Sequence, residues 1–173
     1  KWVVMTHLHG DSNGGFSAFM PTDATLIVNE RAIPSFGGLV RGAGKTRTVV
    51  GVKETLVLFG KTQTLEIHAT ASPAHTAEDV WVFQPSANVV YVGDLVTPAR
   101  CPMMSDPGTD PKGWLAALDQ IDAVHAAAIV ATRGPSTVKV AEQILGTRSY
   151  IKRMLEILTA MKKINAAEAR VSG

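Results

Sequence analysis

Thr6-His7-Leu8-His9-Gly10-Asp11-Ser12-Asn13-Gly14-Gly15 follows a short apolar run, residues 2–5. Two histidines and an aspartate stand at every second position of this stretch, so on an extended backbone their side chains leave the same side. Two imidazoles and a carboxylate that converge from one segment are typical of a divalent-metal site. The stretch therefore predicts part of a metal site at the end of a buried strand. The alternative is a strand end that carries histidines without a metal.

Composition limits the classes of protein that this chain can represent. With 173 residues, the chain is predicted to form a single domain over residues 1–173. A hydrophobic content of 46% with 6% aromatic residues predicts an aliphatic core, and a net charge of +2 is too small to indicate nucleic-acid binding. The single cysteine, Cys101, excludes an intrachain disulfide and leaves a cytoplasmic or a periplasmic location open. No apolar run reaches membrane-spanning length, so no membrane partner is expected.

Apolar runs and breakers predict a layered α/β sandwich in which strands come first and helices later. Residues 31–53 are polar and glycine-rich and are predicted to be mostly loop. The first predicted helix, residues 14–20, would have Ser12 or Asn13 as its N-cap. The predicted strands are residues 2–5, 25–28, 55–58, 64–69, 80–83, 89–92 and 128–131, and the later helices are 112–125, 138–145 and 150–164.

Four segments place polar or flexible residues after predicted strands: 6–11, 73–76, 93–94 and 132–135. In this order they resemble the metallo-β-lactamase superfamily of metal hydrolases. That family has a Thr-His-x-His-x-Asp-His-x-Gly-Gly run, then a lone histidine, a Gly-Asp pair and a Gly-His-Gly. Here the lone histidine matches His75, and the pair matches Gly93-Asp94.

The resemblance implies a four-layer αββα sandwich of the metallo-β-lactamase type, with the N-terminal strands missing or truncated. It also implies a first metal position formed by three histidines, a bridging carboxylate and a second position that includes the aspartate of the opening run. Residue by residue, these ligands are His7, His9, His75, Asp94 and Asp11.

Two departures from the family pattern fall on the second metal position. Ser12 and Arg133 stand where that position needs histidines. A serine is a weak ligand, and an arginine offers no lone pair and adds a fixed positive charge. We therefore expect one zinc ion, with a second ion weakly bound or absent. Arg133 would then replace the missing cation electrostatically, bind an anionic substrate, or mark decay of the site.

Other residues with metal-binding or reactive side chains are weaker candidates. His68 is either a neighbour of His75 or a solvent-facing strand residue, and His125 is expected to pack on the apolar face of its helix. Cys101 lies in the loop after Asp94, near enough in sequence to reach the mouth of the site.

Three functions remain open at this point. The first is a hydrolase in which zinc-bound hydroxide attacks an ester, thioester, amide or lactam of a small molecule, with Asp11 and Asp94 as catalytic carboxylates. The second is a degenerate, non-catalytic binding or structural protein. The third is a non-haem iron dioxygenase of thiols or persulfides, because His7, His75 and Asp94 also form a two-histidine, one-carboxylate set. An exposed sheet edge would favour a homo-oligomer that covers it.

Overall fold

The computed structural model describes residues 1–14, 24–36 and 48–171. In these ranges the chain forms two β-sheets. The first sheet is parallel and has the strand order β1-β2-β3. Its strands are β1 (Trp2–Val4), β2 (Thr25–Asn29) and β3 (Val49–Val52).

The second sheet has five strands in chain order, β4 to β8. Neighbouring strands pair antiparallel from β4 to β7, whereas β7 and β8 pair parallel. A parallel pair needs a long crossover, which here contains a helix. The strands are β4 (Thr55–Phe59), β5 (Thr64–Ala69), β6 (Val80–Gln84), β7 (Val89–Tyr91) and β8 (Ala128–Val130).

Helical segments connect the strands and cover the sheets. They are α1 (Gly10–Asn13), the 3-10 helix η1 (Glu30–Phe36), α2 (Pro111–Ala123) and α3 (Val140–Val171). The Asp110 side chain caps α2 by accepting a hydrogen bond from the backbone N–H of Lys112. Among the described segments, no helix combines the length and the apolar character that a bilayer crossing needs.

Three apolar clusters show how the layers are stacked. Ile27 of β2 and Ile67 and Val80 of the second sheet form the cluster between the two sheets. Leu26 and Val28 point to the opposite face of β2, because successive side chains of a strand alternate.

That outer face of the first sheet packs against Ala32 of η1. The outer face of the second sheet, which includes Trp81, packs under α2 and α3 through Trp114, Leu118, Ile144 and Ile151. The four-layer αββα arrangement is therefore confirmed.

Two element predictions near the start of the chain are wrong. The described part of the predicted loop 31–53 contains most of η1 and all of β3, because Ala32 and Val52 are buried against the sheets, while residues 37–47 lie outside the described residues. The short helix α1 begins at Gly10 with His9 as its N-cap, so Ser12 and Asn13 lie inside it and are not caps. Except for Gly14, the predicted helix 14–20 lies outside the described residues.

The two helices predicted after residue 137 are a single helix, α3. Glycine at position 146 costs about 1 kcal/mol of helix propensity, which favours a break. However, Ile144 and Ile151 on either side of Gly146 are both buried in the same core cluster. This packing holds one continuous helix across the glycine.

Candidate metal centre

The predicted metal ligands lie in segments that follow strands and meet at one end of the two sheets. His7 and His9 follow β1, His75 lies in the loop between β5 and β6, and Asp94 follows β7. Two backbone hydrogen bonds connect these segments. Val80 donates to the carbonyl of Thr6 at 2.8 Å, and Thr132 donates to the carbonyl of Gly93 at 3.0 Å.

The structure brings His7, His9, His75 and Asp94 together. One ligand atom from each residue lies within 4.8 Å of the ligand atoms of the other three. Nε2 of His75 is 3.1 Å from Nδ1 of His9, and Oδ2 of Asp94 is 3.6 Å from the same His75 nitrogen. The three rings are nearly perpendicular to one another, with centroids 4.8–5.0 Å apart. These four side chains therefore surround a common point.

Burial keeps two histidines of this cluster, His7 and His75, neutral. His7 and His75 are almost fully buried. Burial, with a smaller contribution from neighbouring His75, lowers the pKa of His7 to about 3. Burial and the nearby His9 lower the pKa of His75 to about 4. Both rings therefore keep the unprotonated nitrogen that a metal ion requires.

The donor set fits a divalent metal ion. Three imidazole nitrogens and one carboxylate oxygen are ligands that zinc and iron both accept. The 3.1 Å between the facing nitrogens of His9 and His75 is close to the separation expected for two ligands at about 2.0–2.1 Å from one ion. In addition, Oδ1 of Asp94 is buried without a hydrogen-bond partner in the described part of the chain.

The orientation of His9 depends on Asp106, a residue that the sequence analysis missed. Nε2 of His9 lies 2.9 Å from Oδ2 of Asp106, and this hydrogen bond lowers the pKa of the Asp106 carboxyl. An ionised carboxylate only accepts, so the proton lies on Nε2 of His9 and the lone pair on Nδ1 faces His75. Asp106 lies in the loop before α2, 97 residues from His9. No spacing or motif in the sequence relates these two residues.

The loop that carries His75 is held from three sides. Asp79 accepts hydrogen bonds from the backbone N–H and the hydroxyl of Thr76 at 2.8 and 3.0 Å. The Thr109 hydroxyl donates to the carbonyl of His75 at 2.8 Å. The ring of Trp114 lies 5.0 Å from the ring of His75, and its indole N–H donates to the carbonyl of Leu95, next to Asp94.

Asp11, a predicted ligand and catalytic residue, lies beside the cluster rather than in it. Its carboxylate forms an ion pair with Nη2 of Arg133 and is about half exposed. Nε of Arg133 also donates to Oδ2 of Asp94 at 3.0 Å. Ser12 is close to His7, with Oγ 3.2 Å from Nε2.

A cavity of about 320 Å³ adjoins the cluster, with Cys101 and Met103 in its wall. Its full lining is His75, Asp94, Thr97, Arg100, Cys101, Met103 and Arg133. The prediction that Cys101 reaches the mouth of the site agrees with this placement.

The two remaining histidines lie outside the cluster. His68 stacks on Trp81, with ring centroids 4.1 Å apart, and its Nδ1 is 3.0 Å from the Thr55 hydroxyl. It is therefore packed rather than solvent-facing. His125 is exposed and follows the end of α2 with a φ of 49°, so the prediction that it packs on the helix face is wrong.

The family model of the metallo-β-lactamase superfamily matches residues 1–133. None of the curated protein sequences compared with the chain matches it significantly.

Several solved structures share the fold. A metallo-β-lactamase from Pontibacter korlensis superposes with a TM-score of 0.69 at 22% identity, over 86% of this chain and 67% of that one. A metal-soaked flavodiiron core from Synechocystis has a TM-score of 0.70 at 16% identity, over 88% of this chain and 43% of that one. The metallo-β-lactamase FIM-1 from Pseudomonas aeruginosa, in a mono-zinc form, has a TM-score of 0.62 at 21% identity, over 88% of this chain and 66% of that one.

The chain thus spans between 43% and 67% of the length of these three structures. At identities below 25%, the structural matches establish the fold alone. The family model, in contrast, covers more than half of the chain and includes the segments 6–11, 73–76 and 93–94 in full and the first two residues of segment 132–135. On this basis, the chain belongs to the metallo-β-lactamase superfamily.

Proposed function

We propose that this protein is a metal-dependent hydrolase that cleaves an ester, thioester, amide or lactam bond in a small molecule. The observation that carries the proposal is the convergence of His7, His9, His75 and Asp94 beside an open cavity. Metal hydrolases need a closed set of protein ligands on one side of the ion and an accessible position on the other. The buried histidines and the adjoining 320 Å³ cavity supply these two sides.

The proposed ion is zinc. A set rich in neutral imidazoles with one carboxylate suits zinc, and the mono-zinc form of the FIM-1 structure is an example of one-zinc occupancy on this fold. When bound, the ion would lower the pKa of a coordinated water molecule to about 7 and polarise a carbonyl oxygen.

The remaining steps are assigned to residues of the chain. Asp94, with its three histidine neighbours, holds the centre together. Asp11 is the proposed proton acceptor, because its ion pair with Arg133 keeps the carboxylate next to a residue that lines the cavity. Arg100 and Met103 give the cavity one cationic and one apolar wall for the substrate.

The test combines metal analysis with a substrate screen. Purified protein is stripped with chelator, reloaded with zinc or iron, and assayed for metal per chain and for hydrolysis of chromogenic esters, thioesters and lactams. We expect His75→Ala to lose bound zinc and to lower turnover by at least about 100-fold, since it removes a metal ligand. His125→Ala is the matched control, because His125 is an exposed histidine outside the cluster. It is expected to keep both metal and turnover.

Other results would contradict the proposal in different ways. Unchanged turnover in a folded His75→Ala variant would show that hydrolysis does not depend on this centre. Retention of iron, with oxygen uptake on a thiol substrate, would support the dioxygenase instead. Absence of bound metal after incubation with excess zinc and iron would support a non-catalytic protein.

A further inference from the structure

Arg133 joins two carboxylates that belong to different segments of the chain. Its Nε donates to Oδ2 of Asp94 at 3.0 Å, and its Nη2 forms an ion pair with Asp11. The same oxygen of Asp94 lies 3.7 Å from Nε2 of His7 and 3.6 Å from Nε2 of His75. Asp94 therefore lies between two partners, the histidines and the guanidinium.

The backbone around Arg133 is fixed close to Asp94. Thr132 donates to the carbonyl of Gly93 at 3.0 Å, immediately before Asp94. On the other side, Gly134 has a φ of +87°, and a Cβ atom there would lie 2.3 Å from the carbonyl oxygen of Pro98. Only glycine fits this approach, so the chain places Arg133 at a defined position beside Asp94.

The charges around Arg133 indicate that its guanidinium stands in the place of a cation. Asp94 is buried and Asp11 is half-exposed, and two adjacent carboxylates next to three histidines form a donor set that attracts cations. A guanidinium supplies one fixed positive charge and two directed N–H groups, one for each carboxylate. A divalent ion at this place would have to displace these bonds and stand next to the charge of Arg133.

We propose that Arg133 occupies the second cation position of the centre and limits the protein to one metal ion per chain. This inference rests on the metal site of the proposed function. Arg133 is a positioning residue here: it holds Asp11 and Asp94 and excludes a second ion.

The test counts metal ions. Chelator-treated protein is titrated with zinc ions, and bound zinc is measured by calorimetry and by elemental analysis. The wild type is expected to bind one ion per chain. Arg133→Met keeps an unbranched, flexible side chain but removes the charge and the N–H donors, so a second ion is expected to bind, at least about 10-fold more weakly than the first. A double variant, Ser12→His with Arg133→His, restores both missing histidines. Its affinity for the second ion is expected to lie within about 10-fold of its affinity for the first.

Two further variants separate charge from structure. Arg133→Lys keeps the positive charge and is expected to stay at one ion, even if it is less stable than the wild type. Arg100→Met removes the other arginine that lines the cavity and is also expected to stay at one ion.

The outcomes distinguish this inference from the proposed function. Two ions in the wild type, or one ion in a folded Arg133→Met variant with unchanged affinity, would overturn the role of Arg133 while leaving the hydrolase in place. One ion in the wild type and two in Arg133→Met, with no hydrolysis of any substrate, would support Arg133 and reject the hydrolase. If neither the wild type nor any variant binds zinc, both proposals fail.

Discussion

At the scale of single residues, His9 shows how one hydrogen bond selects the nitrogen that faces an ion. Its Nε2 is bound to Asp106 at 2.9 Å, so Nδ1 is left to face His75. His9 is also less buried than His7 or His75. Its orientation therefore depends on this carboxylate more than on packing.

Substitution of Asp106 is expected to weaken metal binding without abolishing it. Asp106→Ala leaves His9 free to rotate or to change tautomer, and the loss of such a partner typically lowers metal affinity by about 10–100-fold. In Asp106→Asn the amide oxygen still accepts a hydrogen bond from His9. The zinc affinity of this variant should therefore lie between those of the wild type and the alanine variant. Zinc affinity is measured by competition with a chromogenic chelator.

The matched control for this prediction is Asp119→Ala. Asp119 is an exposed aspartate of α2 that pairs with Arg148, so its removal should leave zinc affinity unchanged. An Asp106→Ala variant that binds zinc as tightly as the wild type would contradict the role assigned to Asp106.

At the scale of elements, the segment after β7 must approach the segment after β1 very closely. Gly93 has a φ of +57°, and a Cβ atom on it would lie 2.8 Å from Cβ of Thr6. Thr6 and Gly93 immediately precede His7 and Asp94. The absence of a side chain at Gly93 therefore sets the distance between two predicted metal ligands.

Gly93→Ala is expected to destabilise the fold and to disturb the centre. The left-handed backbone costs alanine about 1–2 kcal/mol, and the contact with Thr6 adds about 1–3 kcal/mol of overpacking. Chemical unfolding of the metal-free protein measures the loss, and zinc affinity should fall in parallel.

Gly10→Ala is the control for this glycine. Nothing lies within 4 Å of a Cβ atom at Gly10, which is in the same segment as the ligands and inside α1. The stability of the Gly10→Ala variant should match or slightly exceed that of the wild type. If Gly93→Ala were as stable as Gly10→Ala, the close approach would have no energetic importance.

At the scale of the whole molecule, burial of the centre couples folding to pH. The pKa values of His7 and His75 are about 3 and about 4 in the folded protein, because burial disfavours their charged forms. Asp79 behaves in the opposite way, since burial raises its pKa to about 7. Below pH 6.5 the unfolded chain binds protons on both histidines that the folded chain does not bind.

The histidine contribution to the free energy of unfolding is therefore expected to fall as pH decreases from about 6.5 to about 4. Asp79 opposes this trend, because the folded protein keeps a proton on it that the unfolded chain releases as pH rises from about 4 to about 7. The measurement is therefore made on metal-free Asp79→Asn protein, by denaturant unfolding at several pH values. His7 and His75 together should contribute up to two protons taken up on unfolding to the slope.

The comparison that isolates the histidines adds His7→Asn and His75→Asn to the same background. This variant has no buried imidazole to protonate at the centre, so its stability should depend much less on pH. Equal slopes with and without the two histidines would contradict the low pKa values.

Elements with a local sequence pattern can be predicted without knowledge of the fold. Short apolar or alternating runs bounded by turn residues predicted seven of the eight described strands, because these signals lie within the strand and its immediate neighbours. The four motifs determined the family, and they named all four residues of the cluster, His7, His9, His75 and Asp94. Each of these residues follows a recognisable strand.

Features that depend on distant partners become visible only in the folded chain. The strand β3 and the unbroken helix α3 exist because Val52, Ile144 and Ile151 reach apolar clusters that the local sequence does not reveal. Likewise, Asp106 meets His9 across 97 residues, and the guanidinium of Arg133 joins Asp11 to Asp94. Local patterns determine which side chains are offered to a site, whereas packing and charge pairing in three dimensions decide which of them meet.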